Sequence, residues 1–353
     1  MKALIVGAGP TGLTAALELE RRGIEIKIID KREAASGFSR AVGIMPHSLE
    51  LLSPSRVAER LLSDGIQMAD FHIFLDGDER LSFSTRGADP KYDFLLALPQ
   101  DQTEAIMREQ LGKDRTKVSF KTELAGFEQS SEGVTAVYAN RKSERFDYLI
   151  GADGIHSTAR NILGVPFDGY DLPETWSIAD VDARDWPYQG SFVVSVLSGG
   201  RVAVVAHIGK SRYRVISNTP DALATLALPL EVIKIHRQGT FNISVRQAET
   251  YQVGRIFLAG DAAHCHSPVG GRGMNLGIAD AADLAQRLAD GDPSGYSAAR
   301  HPAGKAVIAA SEGARKIITS SKWSRRVLFR CALAAVNLLP SLRRRTAHTV
   351  LRG

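Results

Sequence analysis

The chain has 353 residues, 44% hydrophobic and 24% charged, with 32 Gly, 14 Pro and two Cys. At about 150 residues per domain that length fits two domains; the apolar content excludes disorder, and the lack of a short repeat excludes collagen-like and low-complexity classes. The net charge of +5 is concentrated at one end: residues 313–353 hold ten Lys/Arg and no acid, leaving 34 basic against 39 acidic side chains in residues 1–312, so the body does not read as a nucleic-acid binder.

Met1 and Lys2 lead straight into an apolar strand over 2–6, which is no signal-peptide pattern, and no segment offers the ~20 apolar residues of a membrane span. Cys265 and Cys331 cannot make a disulfide framework, which points to a reducing cytoplasm. After the first strand comes Gly7-Ala8-Gly9-Pro10-Thr11-Gly12, then a helical pattern over 13–22 that Gly23 stops, then a strand over 25–30, closing a β-α-β unit. Alternating runs at 71–75 and 80–84 around Asp76-Gly77-Asp78 read as a hairpin. Residues 100–111 read as a helix, and 122–128, 134–138 and 145–150 as strands. An antiparallel block follows over 170–217, with strands at 191–197, 201–208 and 213–217. A last strand over 255–259 enters a glycine-rich loop and a helix over about 274–289. The strand blocks interrupt the nucleotide-binding pattern, so the domains interleave: residues 1–70, 96–165 and 250–310 form one, residues 71–95 and 166–249 the other, and 311–353 a basic helical tail.

Three motifs carry chemistry. In Gly7-x-Gly9-x-x-Gly12 the first glycine permits a tight turn, the second lets a pyrophosphate approach the backbone, and the third lets the helix pack on the sheet. The helix N-terminus offers N–H groups and its dipole to phosphate. Asp30 ends the second strand, 18 residues after Gly12, placed to accept from a ribose 2′-OH. This pattern suits FAD and NAD(P) alike. In Arg255-Ile-Phe-Leu-Ala259-Gly260-Asp261-Ala-Ala-His264 an aspartate leaves a strand end where it can bind sugar-like hydroxyls. Ser267-Pro268-Val-Gly270-Gly271-Arg272-Gly273-Met274-Asn275 then exposes backbone N–H groups at a helix start, suited to an anion or an electron-rich heterocycle edge. The third motif, Gly151-Ala152-Asp153-Gly154-Ile-His156-Ser157 with Arg160, again ends a strand in a phosphate- or ribose-facing turn. His264-Cys265-His266 does not read as a metal site, because three consecutive residues cannot all point at one tetrahedral ion.

In this order the motifs, with Ser39-Arg40-Ala41-Val42-Gly43 before Leu49-Glu50-Leu51-Leu52 and Leu98-Pro99-Gln100 before Thr103-Glu104, resemble the class A flavoprotein monooxygenases, the para-hydroxybenzoate hydroxylase-like family. The resemblance covers roughly residues 1–165 and 240–300. It implies an α/β fold: a Rossmann-like doubly wound FAD-binding domain interleaved with a mostly antiparallel substrate sheet, plus C-terminal helices. Gly7, Gly9, Pro10, Thr11 and Gly12 would cradle the FAD pyrophosphate, with Asp30 on the adenosine ribose. Lys31 and Arg32 would flank the adenosine, Leu124 would give backbone contacts to adenine, and Gln100 would lie against the flavin side chain. Gly260 and Asp261 would hold the ribityl or pyrophosphate region. The amides of Gly271, Arg272, Gly273, Met274 and Asn275 would face the flavin N1/C2=O edge as an oxyanion hole does. Asp153 and Arg160 would carry the family's dual FAD and NAD(P)H role.

By the same resemblance Arg40 would lie near the flavin and the pyridine-nucleotide path, and Pro268 over the reacting face. His47 is the other catalytic candidate, with His207 and Tyr213 as further groups to take a phenolic proton. Two departures stand out: Asp30 replaces a common Glu, and Arg272 replaces a common Gln, a cation that favours an anionic substrate or reduced flavin. The thioredoxin-like extension of some larger members is not expected here. The implied reaction is hydroxylation or epoxidation of an aromatic, phenolic, polyketide-like or isoprenoid-like small molecule, with NAD(P)H, O2 and a flavin C4a-hydroperoxide. The rival readings are a flavoprotein reductase of an unsaturated lipid-like substrate and a non-catalytic FAD-binding module docking a membrane or partner.

Two features stay open at this level. Trp176, Trp186 and Phe192 line an aromatic pocket or belong to the core of the strand block. The tail puts Val327, Leu328, Cys331 and Ala335 on one helical face between Lys322 and Arg343-Arg344-Arg345. A peripheral membrane contact through 322–345 fits it, and so does a final helix packed on the FAD domain. The expectation is a cytoplasmic monomer or homodimer, peripheral at the inner membrane surface if the tail binds lipid.

Overall fold

The computed structural model describes residues 1–35, 37, 41–113 and 116–352. One sheet has five strands in the order Gln252–Val253, Ile256–Leu258, Tyr148–Gly151, Lys2–Val6, Glu25–Ile29. Four run parallel, and Gln252–Val253 pairs antiparallel with Ile256–Leu258. Ala3, Leu4 and Ile5 are fully buried, which is why this strand reads as an unbroken apolar run and not as an alternation. The Pro10–Arg21 helix starts at its proline, three residues earlier than the apolar period suggests, because the first turn has no use for the missing N–H. It packs against the Gly273–Ala289 helix, and Leu13, Leu19, Ile278 and Leu284 share one core with the sheet.

The strand expected over 145–150 divides at Asp147. Ser143–Phe146 pairs antiparallel with Gly133–Tyr138, while Tyr148–Gly151 pairs parallel with Lys2–Val6. Asp147 makes the crossing: its carboxylate accepts the Lys2 N–H at 2.6 Å and its own N–H donates to the Lys2 carbonyl at 2.8 Å.

The second large sheet has seven strands in the order Glu231–Phe241, Trp176–Arg184, Arg212–Ser217, Val202–Gly209, Ser191–Val196, Asp70–Leu75, Asp78–Ser84. All neighbours are antiparallel except Ser191–Val196 with Asp70–Leu75. The Asp76-Gly77 turn has both residues at positive φ, 51° and 91°, as a tight hairpin requires. Glu231–Phe241 is an edge strand with Lys234 and His236 exposed, charges that guard the edge, although Val232, Ile233 and Ile235 are exposed on it as well. Trp176 and Trp186 are core residues, and Phe192 is half-buried.

The two faces of this sheet differ. Asp180, Arg214, Ala206 and Phe192 lie in register across four strands, and Val42 packs on Ala206 and Ile208, so this face looks toward the 41–44 segment. The opposite face holds Ala179, Val193, Tyr213 and Trp186 in a separate core with Ala222.

Three helices end the chain: Tyr296–Ile318, Trp323–Leu338 and Pro340–Arg352. Phe329, Leu333, Val336 and Ala347 join Phe71, Leu81 and Phe83 in one cluster, and Arg326 reaches Asp76 at 2.6 Å. The Trp323–Leu338 helix therefore lies on the strand sheet, and the Pro340–Arg352 helix touches both that sheet and the Pro46–Leu52 helix. Among the described residues no helix is long and apolar enough to cross a membrane.

Candidate cofactor and substrate site

Gly7 has φ +104°, and a Cβ there would lie 2.3 Å from the Ala152 carbonyl oxygen, so the first turn meets the third motif. A Cβ on Gly12 would lie 1.9 Å from the Gly7 carbonyl oxygen, a contact that only glycine permits. Gly9 differs: its φ is −80°, and nothing lies within 4 Å of a Cβ built there. It also starts the Pro10–Arg21 helix without a side-chain cap, leaving first-turn N–H groups for an anion.

Thr11 brings in the second motif. A Cβ on Gly260 would stand 2.4 Å from Thr11 Oγ1, and one on Gly277 would stand 2.2 Å from the same atom. The Gly273–Ala289 helix thereby seats against the first motif, and it too starts without a side-chain cap, at Arg272. Asp261 is exposed beside it. Two uncapped helix starts and an exposed carboxylate fit a long anionic dinucleotide, with pyrophosphate at one helix and an electron-rich ring edge at the other.

Asp30 is 7% exposed. Its carboxylate accepts the Ala8 N–H at 2.9 Å and the Arg32 fork at 3.0 and 2.8 Å. Burial pushes this carboxyl up, but Arg32 and the backbone N–H groups outweigh burial and hold it below the usual value. Lys31 beside it is exposed. Thr122 donates its N–H to the Asp30 carbonyl, which sets Leu124 near the same strand end. Gln100 donates its N–H to the Ala41 carbonyl and its carboxamide to Glu104. Arg40 and Ser39 lie outside the described residues.

Several side chains expected on the cofactor are spent on protein. The Gly271 N–H closes a turn onto the Pro268 carbonyl at 2.9 Å. The Asn275 carboxamide donates to the Gly43 and Gly271 carbonyls and accepts from the Met45 N–H and the Ser48 hydroxyl. With the Gly271 N–H committed to its turn, the first-turn N–H groups of Gly273, Met274 and Asn275 head the helix on the ligand side of this loop. Asp153 caps the Thr158–Leu163 helix through the Thr158 N–H and the Ser157 hydroxyl. Arg160, 5% exposed, donates to the Ala262 and Ile155 carbonyls at 2.9 and 2.8 Å. Arg160 thereby ties the third motif to the second, and Asp153 holds the third motif to its own helix.

The proton acceptors fare likewise. His47 is exposed on the outer side of the Pro46–Leu52 helix, 3.8 Å from Glu50, where water competes for any proton it would take. His207 and Tyr213 stack at 4.8 Å on the closed face of the seven-stranded sheet, with His207 Nδ1 accepting the Gly190 N–H. Pro268 is exposed at its turn, while Val269 packs with Trp176 and Ile216 and so anchors the glycine-rich loop to that sheet.

Two charged clusters escaped the sequence. Asp280 is fully buried, pairs with His264 Nε2 at 2.5 Å, and accepts from Arg300 Nε at 2.7 Å and the Gly260 N–H at 3.1 Å. Burial pushes its carboxyl up, yet His264 and Arg300 hold it below the usual value. The available signal was a carboxylate on the helix face that carries Leu276 and Leu284, four residues to either side. Arg214, 1% exposed, grips Asp180 at 2.6 and 2.7 Å and donates to the Ala41 carbonyl at 3.1 Å. His266 lies against the Ser267 carbonyl through Nδ1, and burial pushes it down to about 4.

A family model described as FAD binding domain matches residues 1–221 and 210–311. The chain belongs to this family and to the class A FAD-dependent monooxygenases within it. Its cofactor is FAD, with NAD(P)H as co-substrate. It is 31% identical over 347 aligned positions to an uncharacterized aromatic compound monooxygenase of Bacillus subtilis (strain 168), covering 90% of this chain and 68% of the relative. It is 32% identical over 379 aligned positions to the 6-methylpretetramide 4-monooxygenase of Streptomyces rimosus, covering 99% and 68%. Among solved structures it matches the Diels-Alderase PyrE3 of pyrroindomycin biosynthesis with a TM-score of 0.83 at 26% identity, covering 99% and 80%. The chain spans about two thirds of the length of the two curated relatives.

Proposed function

We propose that the protein inserts one oxygen atom of O2 into an aromatic or polyketide-like small molecule, using FAD and NAD(P)H. The observation that carries this reading is the pair of uncapped helix starts that Thr11 and Gly277 bring together. Bound there, FAD supplies the hydride acceptor and the activation of O2. The chain supplies the rest. The first-turn N–H groups beyond Gly9 hold pyrophosphate, and Asp30 holds the adenosine ribose. The Gly273, Met274 and Asn275 N–H groups offset negative charge on the ring edge. Arg272 adds a half-buried cation that favours an anionic substrate such as a phenolate. The sheet face bearing Arg214, Ala206 and Phe192 keeps water from the reacting ring. Arg40 is the proposed contact of the pyridine nucleotide. Within this reading the enzyme works in the cytoplasm as a monomer or homodimer.

The likeness to a Diels-Alderase favours one other reading, an FAD-holding cyclase that consumes no NAD(P)H. The test is NADPH consumption by FAD-loaded protein in air, with and without pooled phenols and polyketide aromatics, reading products by mass. Substrate-stimulated consumption with a gain of one oxygen supports hydroxylation. A product isomeric with its substrate and no loss of NADPH assigns the cyclase instead. Reducible bound FAD with neither outcome overturns both.

A further inference from the structure

The inner face of the Trp323–Leu338 helix is accounted for by Phe329, Leu333 and Val336, which pack on the seven-stranded sheet. Its outer face is apolar as well. Trp323, Val327, Cys331, Ala334 and Leu338 recur every three or four residues, with Leu328 on the same side, as one stripe of a 3.6-residue helix does. Trp323 is 78% exposed, Leu328 70% and Leu338 77%. Large apolar side chains scattered singly over a surface are ordinary, but a contiguous stripe of them marks a contact. Leu339, in the turn to the next helix, extends the stripe.

The rim of this stripe is cationic. Lys322, Arg325 and Arg330 border it, all exposed, and Arg344 and Arg345 stand exposed on the following helix. None of the five forms a salt bridge among the described residues, although Arg330 adds to the field that holds the Asp76 carboxyl down, whereas Arg326 and Arg315 are committed to Asp76 and Glu312. Residues 313–353 contain no acid to neutralise the rest. An apolar stripe edged by exposed cations complements an anionic bilayer, with apolar side chains at the acyl boundary and Lys and Arg at the phosphates. A second copy of the same face would set like charges against each other, which opposes self-association.

We propose that the outer face of the Trp323–Leu338 helix docks the folded enzyme onto an anionic lipid surface, the helix lying in the plane of the interface. The docking is independent of the hydroxylation reading, since its surface shares no residue with the cofactor site. The test uses full-length FAD-loaded protein sedimented with vesicles of phosphatidylcholine alone and of equal parts phosphatidylcholine and phosphatidylglycerol. Binding to the mixed vesicles is expected to be about tenfold or more tighter than to phosphatidylcholine, and to weaken with salt. Trp176 and Trp186 are buried, so a blue shift on binding reports Trp323 leaving water. Leu328→Glu with Leu338→Glu abolishes the binding. Arg325→Ala with Arg330→Ala lowers it on the order of twentyfold, at about fivefold per cation. All four side chains are exposed, so FAD content and vesicle-free NADPH oxidation stay at the parent level and show that the variants fold. Failure to sediment with either vesicle, or equal binding to both, overturns the proposal. A concentration-dependent dimer that Leu328→Glu breaks, in protein that ignores vesicles, also overturns it and gives the face to a second copy.

Discussion

The Asp280 carboxylate accepts the Gly260 N–H at 3.1 Å from 20 residues farther along the chain, and so holds the turn presenting Asp261 from within the core. Arg300 and His264 share the same carboxylate. Asp280→Ala would strand the half-buried Arg300 guanidinium and the buried His264 ring, so a stability loss of about 3–5 kcal/mol is expected in urea denaturation. FAD binding, read by flavin fluorescence, should weaken with it, because the Gly260 turn loses its anchor. The folded carboxyl is held below its unfolded value. Its contribution is therefore present above the unfolded pKa of about 3.9 and is lost as pH falls through the folded one. In Asp280→Asn that acid-side loss should shrink.

Gly9 and Gly12 should respond oppositely to the same methyl group. Gly9→Ala has open space and an ordinary φ, so the FAD-free protein should keep its stability within about 0.5 kcal/mol. Its FAD affinity should fall, because the methyl enters the space left for phosphate. Gly12→Ala meets the Gly7 carbonyl at 1.9 Å, an overpacking that costs about 1–3 kcal/mol with or without cofactor. Thermal melts with no FAD and with excess FAD separate the two. A Gly9→Ala protein that melts low without FAD would show that this glycine serves packing.

Much of this was legible because nucleotide-binding elements carry redundant signals. Lys2–Val6, the glycine turn, the helix and Asp30 each announce the next, and the structure places them in that order. Partner choice was not legible. The run over 145–150 reads as one strand broken only by the charge of Asp147, and nothing in it says that Asp147 hands the chain from one sheet to another. Side-chain duty was equally hidden. Asp153, Arg160 and Asn275 have the polarity of ligand contacts, yet their visible bonds go to protein groups, both backbone and hydroxyl. The Glu231–Phe241 edge strand exposes Val232, Ile233 and Ile235 beside Lys234 and His236, a mixed pattern with no buried face to mark it.

His266 sets a second pH dependence. Burial lowers its pKa from 6.5 to about 4, so the folded chain binds its proton less readily than the unfolded chain does. The stability this gives is present above the unfolded value and is lost as pH falls from about 6.5 toward 4, by on the order of 2–3 kcal/mol. Denaturation midpoints at pH 7 and pH 5 measure it. His266→Asn, which cannot take the proton, should lose less over that interval than the parent protein, and an equal loss would assign the effect to another group.

Arg214 and Asp180 should separate stability from coupling. Arg214→Ala leaves Asp180 buried and unpaired, for a loss of about 3–5 kcal/mol. Replacing both together, as Asp180→Asn with Arg214→Gln, removes the uncompensated charge and should recover much of that stability. It would still lose the charged bond from Arg214 to the Ala41 carbonyl, the tie between the sheet and the segment next to Arg40. If the sheet face closes the pocket over the flavin, the double variant should oxidise NADPH at a comparable rate yet divert more of it to hydrogen peroxide. Product formed per NADPH consumed is the readout. Restored stability with a lowered ratio would place the pair in closing the pocket, and restored stability with an unchanged ratio would confine it to packing.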